Sequence, residues 1–238
     1  MKILSLDSSA QVATVALCED DALLAEFTLN NGNTHSETLL PMIEALLSAY
    51  GIAVDDVELF ACTSGPGSFT GVRIGAATIK GLAFGRKIPC VGVSTPEAIA
   101  ENLSSLGGLI CPVMNARRSQ VYTALFRSDG VTMERLLPDS ALSIAELDDL
   151  LSAYGEPVAF AGDGYDVTTA ALKKTEIRPV CERLRYQSAY SVAQVAYREY
   201  LAGRTSTDAS LAVNYLRPSQ AERTRMEQER QKNPQSGI

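Results

Sequence analysis

A glycine-rich segment, SGPGSFTGVRIGAATIKGLAFG at residues 64–85, is the feature that most constrains the fold. It holds six of the seventeen glycines in a chain of 238 residues. Glycine is favoured where the backbone has a positive φ angle or where another chain approaches closely. Gly65, Gly67 and Gly71 suit such a turn, which Pro66 would stiffen. We therefore predict a tight, glycine-dependent loop at this point of the chain.

Apolar runs on both sides of this loop predict an alternation of strands and helices. In the first half, strands fall at 3–6, 12–17, 23–29, 59–63 and 89–93, and helices at 34–50, 72–84 and 95–106. In the second half, strands fall at 109–114, 120–127, 131–137 and 157–161, helices begin at 143 and 188, and 211–216 is extended or helical. The repeated order predicts an internal duplication. We assign 1–107 to one lobe, 108–216 to a second and 217–238 to a disordered tail.

Three helix starts carry capping signals. Thr34 with Glu37, and Ser143 with Glu146, each match the capping box, in which the two side chains satisfy free backbone N–H groups reciprocally. Thr95 precedes a proline at the first helical position, which also favours a helix start. These three positions predict where α-helices begin.

Composition limits the compartment and the class of partner. A net charge of −7 argues against autonomous nucleic-acid binding, which needs clustered Lys and Arg; any contact with RNA is expected to be shared with a partner. Five cysteines, at 18, 62, 90, 111 and 181, form no CxxC pair, which predicts small buried thiols in a reducing compartment. The N-terminal apolar run is too short for a signal peptide or a membrane span. We expect a cytoplasmic protein.

The glycine-rich segment matches neither of two common phosphate-binding motifs. It lacks the GK[ST] ending of a P-loop, and its first four glycines are spaced by two, four and four residues, unlike GxGxxG. A glycine loop that leads into a helix N-terminus is still a general anion site. The residues alone leave packing and ligand binding both open.

Four segments in order resemble the TsaB (YeaZ) family, which is related to TsaD. They are LSLDSS near the N-terminus, HSETLLP at 35–41, GPGSFTGVRIG from 65 and ARRSQVYTALF at 116–126. The resemblance covers residues 1–217. It implies an α/β fold of the actin, sugar kinase and Hsp70 superfamily, with two duplicated ribonuclease H-like lobes of mixed sheets and helices. In that superfamily the turn after the first strand faces nucleotide phosphate, which makes Asp7, Ser8 and Ser9 vestigial candidates for that role.

The resemblance also implies a function. It is that of a non-catalytic scaffold, without cofactor or metal, which binds TsaD as a heterodimer and works with the ATPase TsaE. TsaD transfers threonylcarbamoyl to N6 of the adenosine beside the anticodon in tRNAs that read codons starting with A. The scaffold is expected to contact tRNA only indirectly, to touch no membrane and to form a homodimer when alone.

The family's first two helices are expected to pack against the equivalent pair of TsaD in a four-helix bundle. The matching positions here are Leu39, Leu40, Ile43, Leu46, Leu47, Gly71, Ile74, Gly75, Thr78 and Leu82. The leucines give a wide apolar face, and the glycines lack the bulk that would keep a second helix away. From the pattern alone, the same faces could instead cover the lobe's own sheet.

Two enzyme classes are alternatives to a scaffold. A protease has no support, because His35 is the single histidine and neither HExxH nor GxSxG occurs. A nucleotide-binding kinase or ATPase of the same superfamily is the alternative, with Asp7 and the GDG at 162–164 as remnants of its contacts. Against it, the turn at 115–117 reads NAR where many family members read DAR, and an amide supplies no charge for magnesium.

Overall fold

The chain folds around two five-stranded sheets, seen in a computed structural model that describes residues 1–32 and 34–217. The first half of the chain contains β1 (Lys2–Asp7), β2 (Ala13–Glu19), β3 (Ala22–Leu29), α1 (His35–Tyr50), β4 (Leu59–Gly65), α2 (Phe69–Ala83), β5 (Cys90–Ser94) and α3 (Thr95–Glu101). The second half contains β6 (Gly108–Asn115), β7 (Gln120–Ser128), β8 (Met133–Ser143), α4 (Ile144–Ser152), β9 (Val158–Ala161), α5 (Tyr165–Thr169), β10 (Ile177–Arg178) and α6 (Ala189–Leu201).

The two sheets have the same topology. Their strand orders are β3-β2-β1-β4-β5 and, reversed, β8-β7-β6-β9-β10. In each, the first three strands are antiparallel, and the fourth and fifth continue in parallel from the first. The predicted two-lobed α/β class with duplicated mixed sheets is confirmed.

The central strand β1 shows why this sequence forms a sheet with helices on both faces. Its side chains alternate between the faces of the sheet, as in any strand. Leu4 and Leu6 enter a core with α1 and α2, whereas Ile3 enters a second core with α6. A strand covered on both faces is largely apolar, which explains why Ile3, Leu4 and Leu6 are interrupted only by Ser5, whose hydroxyl donates to Ala189 O.

Helix α1 ends where the sequence predicts but begins differently. Gly51 closes it in the left-handed region at φ 81°, and its N–H donates to Leu47 O. Thr34 is the N-cap, yet it makes no side-chain cap hydrogen bond among the described residues. Its hydroxyl instead pairs with Ser36 Oγ at 3.2 Å, so the capping box predicted for Thr34 and Glu37 is wrong.

The other two predicted helix starts agree with the structure to within one residue. Ser143 caps α4, and Glu146 returns a hydrogen bond to the Ser143 N–H at 2.8 Å, so this capping box is confirmed. Helix α3 begins at Thr95 with Ser94 as its N-cap, one residue earlier than predicted. Ser94 Oγ accepts from Glu97 N at 3.3 Å.

The last helix of each half packs on the sheet of the other half. Helix α6 covers the first sheet, where Val192 and Ala196 pack against Leu59 and Val91. Helix α3 supplies Ile99 and other residues to a core built mainly on the second sheet. The division of the chain at 107/108 stays a prediction, since the two halves exchange helices.

The sequence predicts that all five cysteines are buried thiols. Four cysteines are buried, but Cys181 is exposed, which corrects the expectation for that thiol. Burial raises the pKa of Cys62 and Cys111 to about 12, so both remain protonated and unreactive at neutral pH.

The tail predicted at 217–238 lies outside the described residues except for Arg217. Among the helices of the described ranges, none has the length and apolar character to cross a membrane.

Candidate functional site

A cleft of about 620 Å³ opens between the two sheets. One wall is formed by the β1–β2 turn and the first turn of α2, and the other by the β6–β7 turn and the β9–α5 connection. Residues 214–217 close one side. The charged side chains that line the cleft are Arg117, Asp163 and Arg217. Since both signs of charge are present, the lining does not select one class of ligand.

Asp7 lies beneath this cleft at the end of β1, fully buried. Its Oδ1 accepts hydrogen bonds from the Ser9 N–H at 2.7 Å and from Thr63 Oγ1 at 3.0 Å. Its Oδ2 is buried without a hydrogen-bond partner among the described residues. Burial raises the pKa of Asp7, and this outweighs the hydrogen bonds and the charge of His35, which lower it. The carboxyl is therefore held at an energetic cost.

Asp7→Asn is expected to stabilise the protein at pH 7 by about 1 to 3 kcal/mol, because a neutral amide avoids the desolvation of a charge. A carboxyl whose folded pKa is raised contributes most at low pH, and this contribution is lost as pH rises through the folded pKa. The difference in the free energy of unfolding between the variant and the wild type should thus appear above pH ~4, near the unfolded pKa of aspartate. Chemical denaturation at pH 4 and pH 7 measures it. A variant less stable than wild type at pH 7 contradicts the assignment.

The second sheet repeats the Asp7 turn with an amide. Asn115 ends β6 as Asp7 ends β1, and Asn115 Oδ1 accepts from the Arg117 N–H at 2.9 Å, two residues on. Asp163 Oδ1 accepts from the Asn115 N–H at 3.2 Å. The Asp163 side chain is open to the cleft, yet loss of water from its other side raises its pKa. The duplication thus extends from topology to turn chemistry.

A second repeat involves glycine. Gly65 ends β4 at φ +106°, and Gly162 directly follows the equivalent strand β9 at φ +109°. A Cβ on Gly65 would lie 2.5 Å from Asn214 O, and one on Gly162 would overlap Val113 O. Both positions require glycine for the backbone angle and for the close approach. The GPG and GDG segments are therefore equivalent turns beside the cleft.

The glycine-rich segment is mainly a packing device inside the lobe. The loop is shorter than predicted, since α2 begins at Phe69, with Ser68 as the N-cap. Ser8 Oγ donates to Gly71 O at 2.9 Å, and a Cβ on Gly71 would overlap Ser8 O. A Cβ on Gly75 would lie 2.6 Å from Ser8 Oγ. Both glycines are buried against the chain's own β1–β2 turn, so the prediction that they make room for a partner helix is corrected.

The other residues predicted at a partner interface divide into two groups. Leu39, Ile43, Leu46 and Leu47 are buried in the core of the first lobe. Leu40 is 49% exposed, and Ile74, Thr78 and Leu82 are half-buried. Only the second group can contact another molecule.

Helices α1 and α2 nevertheless keep one side in solvent. We define the docking face as the exposed residues Leu40, Pro41, Ala45, Ala77, Gly81 and Phe84. Phe84 is 76% exposed, and a Cβ on Gly81 would meet no atom of the described residues within 4 Å. The face combines exposed apolar side chains with small residues that admit a close neighbour. Sequence reasoning missed most of it, because exposure cannot be read from glycine spacing.

His35 contacts the backbone of the β1–β2 turn. Its Nε2 lies 2.7 Å from Ala10 O, which ties the start of α1 to the β1–β2 turn, while its Nδ1 is buried without a partner in the described part of the chain. Within residues 1–32 and 34–217, no group of three or more His, Cys, Asp or Glu side chains is placed to hold a metal ion. The Asp7, Ser8 and Ser9 candidates lie together at the β1–β2 turn, where Ser9 lines the cleft and each of the three supports the turn.

Two comparisons with known sequences give related answers. The family model for TsaD, a tRNA N6-adenosine threonylcarbamoyltransferase, matches residues 23–224. The tRNA threonylcarbamoyladenosine biosynthesis protein TsaB of Bacillus subtilis strain 168 is 36% identical over 162 residues, which is 68% of this chain and 71% of that protein. The protein of the same name from Escherichia coli K12 is 36% identical over 131 residues, 54% of this chain and 56% of that protein.

Solved structures match the fold. A Pseudomonas aeruginosa protein described as similar to the peptidase YEAZ has a TM-score of 0.78 at 24% identity, and the match covers 91% of this chain and 99% of that one. A structure of YeaZ from the same organism has a TM-score of 0.75 at 24% identity, with coverage of 90% and 99%. At this identity the likeness concerns architecture alone.

Proposed function

The chain belongs to the TsaB (YeaZ) family, within the wider group matched by the TsaD model, and on that premise we propose that it is a non-catalytic scaffold for tRNA threonylcarbamoyladenosine biosynthesis. It binds TsaD through the docking face of α1 and α2, and acts with the ATPase TsaE in the cytoplasm. The complex places threonylcarbamoyl on the adenosine beside the anticodon of tRNAs reading codons that start with A. Contact of this chain with tRNA is indirect.

The chemistry of the cleft supports a role without catalysis. General acid-base catalysis needs a proton-transferring group that can reach a substrate. Asp7 is buried beneath the cleft and engaged by Ser9 and Thr63. His35 is held by Ala10 O. Asp163 is the acidic side chain among the described residues that line the cleft, and it has no base partner there. These side chains hold turns in place.

The docking face supports a protein partner, and it is the observation that carries the proposal. The inner sides of α1 and α2 already fill the core, so their outer sides are free for a second pair of helices. Gly81 and Ala77 lie four residues apart on α2, on one side of the helix. Small side chains let a facing helix come close, and Phe84 and Leu40 give apolar area at the margin. A standard interface buries about 800 Å² on each partner. Without TsaD, the same face would pair with a second copy of this chain.

Ala77→Arg is expected to weaken binding of TsaD by roughly 100-fold, because a long charged side chain must be desolvated where close packing is needed. Calorimetry with purified TsaD measures the affinity, and the threonylcarbamoyladenosine content of bulk tRNA reports the consequence in cells. Ala145→Arg is the matched control, since Ala145 is exposed on α4, the counterpart of α1 in the second lobe. Equal affinities of the two variants for TsaD would refute the docking face.

The alternative, a nucleotide-binding kinase or ATPase, rests on the cleft itself. A second acidic side chain beside Asp7 would be expected to hold magnesium. In the second lobe the equivalent position is Asn115, whose Oδ1 already accepts the Arg117 N–H. The scaffold is therefore the function that the site supports best.

A further inference from the structure

Residues 205–217, which we call the strap, follow α6 and run along the edge of the first sheet to the cleft. At its base, Ser206 exchanges two backbone hydrogen bonds with Cys90 on β5, at 2.8 and 2.7 Å. Leu211 is 3% exposed and belongs to the core under α1 and α2. Further on, Asn214 N–H donates to Ser64 O at 2.7 Å. The base of the strap, from Ser206 to Leu211, is therefore anchored to the first lobe, and Asn214 is the first residue of its tip.

The tip of the strap reaches both walls of the cleft. The Tyr215 ring packs on Phe69 in the first turn of α2, with centroids 4.8 Å apart, and its hydroxyl accepts from Arg73 Nε at 2.5 Å. Two residues later, the Arg217 guanidinium lies 5.7 Å from the centre of the Tyr122 ring on β7 of the second sheet. The tip thus joins the two lobes across the cleft opening.

Base and tip differ in how firmly they are held. Leu211 is buried, whereas Tyr215 is 42% exposed and Asn214 and Arg73 are also exposed. Ring stacking and cation–π contacts at exposed sites are individually weak. Local opening requires only the loss of the contacts that the opened segment makes. The tip can consequently detach while the base remains in place.

We propose that the strap is a releasable latch that closes the cleft by joining the start of α2 to the second sheet. Its turning point lies between Leu211, which stays buried, and Asn214, which sits directly on the Gly65 turn. Release of Asn214, Tyr215 and Arg217 breaks the Asn214 N–H bond to Ser64 O and leaves the two walls of the cleft joined by the remaining contacts between the lobes. The latch requires no ligand and no partner, so it is independent of the proposed scaffold role.

Tyr215→Ala tests the latch by amide hydrogen exchange on the isolated full-length chain. The exchange rate of the Asn214 amide is expected to rise roughly tenfold or more, since one ring pair and one hydrogen bond are lost. The amides of residues 67–70 on the cleft wall should exchange faster as well. Core amides of β1 and β4 should keep their rates. The matched control is Tyr154→Ala, because Tyr154 is 39% exposed at the end of α4, away from the strap.

Arg217→Ala separates the two ends of the latch. It removes the contact with Tyr122 and is expected to speed exchange in the β6–β7 turn at 116–119, with a smaller effect on the Asn214 amide. An Asn214 amide that exchanges at the wild-type rate in Tyr215→Ala would overturn the proposal. So would a uniform rise in exchange that includes β1 and β4, because it would show general destabilisation and no local release.

Discussion

Gly71→Ala should destabilise the protein by at least about 3 kcal/mol, whereas Gly81→Ala in the same helix should stabilise it by about 1 kcal/mol. Gly71 and Gly81, two of the three glycines of α2, differ in what surrounds them. A Cβ on Gly71 would overlap Ser8 O, a backbone atom that cannot turn aside. At Gly81 the space is open, so alanine adds only its better helix propensity.

Gly71 is fixed from three sides, which explains the size of the expected loss. Its N–H donates to the N-cap hydroxyl of Ser68 at 3.2 Å, and its carbonyl accepts from Ser8 Oγ at 2.9 Å. The missing side chain admits the β1–β2 turn. A shift that relieves the overlap breaks at least one of these hydrogen bonds.

Denaturant unfolding of the two alanine variants, with the wild type as reference, measures the change in the free energy of unfolding caused by each substitution. The two changes must have opposite signs. A Gly71→Ala variant within about 1 kcal/mol of wild type would show that α2 can move away from the β1–β2 turn at little cost, contrary to the packing described above.

Asp148→Ala should lower the free energy of unfolding by about 3 to 4 kcal/mol, whereas Asp149→Ala, one residue later, should lower it by less than about 1 kcal/mol. The Asp148 carboxylate is buried and accepts from the backbone N–H groups of Lys173, Lys174 and Thr175, and from the Thr175 hydroxyl. Its removal leaves these donors without an acceptor. Asp149 makes one exposed ion pair, with Lys174, and such pairs contribute little.

The pH dependence of the Asp148 contribution has a definite sign. Burial raises the pKa of Asp148, but the four donors lower it by more, so the folded pKa lies below the usual value. Stability from a carboxyl with a depressed pKa is present above the unfolded pKa, about 3.9, and is lost as pH falls through the folded pKa. The gap between Asp148→Ala and wild type should therefore be full at pH 7 and shrink below pH 4. Thermal unfolding across this range measures it, and a gap that grows on acidification would contradict the assignment.

Sequence patterns predicted the order of the elements well, because each buried strand and each amphipathic helix carries its own periodicity. The capping box at Ser143 was also correct, since both of its partners lie within one turn. The same motif failed at Thr34, where the hydroxyl pairs with Ser36. A side chain with two local partners of similar strength cannot be assigned from spacing alone.

The candidate site was predicted less completely, and the errors share a cause. Glycines at four-residue spacing indicate a close neighbour on one side of a helix, but not which neighbour. For Gly71 and Gly75 it is the chain's own β1–β2 turn, and the free small residue is Gly81. The strap was missed because residues 211–216, predicted to be extended or helical, form no regular element, and because the partner Tyr122 is distant in sequence.

The exchange of α3 and α6 between the lobes affects how the chain is made. Ser5, in the first strand, donates its hydroxyl to Ala189 O, 184 residues later. The first sheet cannot bury its second face until α6 has left the ribosome, which at 5–20 residues per second takes roughly 10 to 40 seconds. During that interval Ile3, Leu59 and Val91 have no cover. The longer α6 takes to emerge, the longer this apolar face is exposed to aggregation, and we expect a chaperone to cover it during that interval.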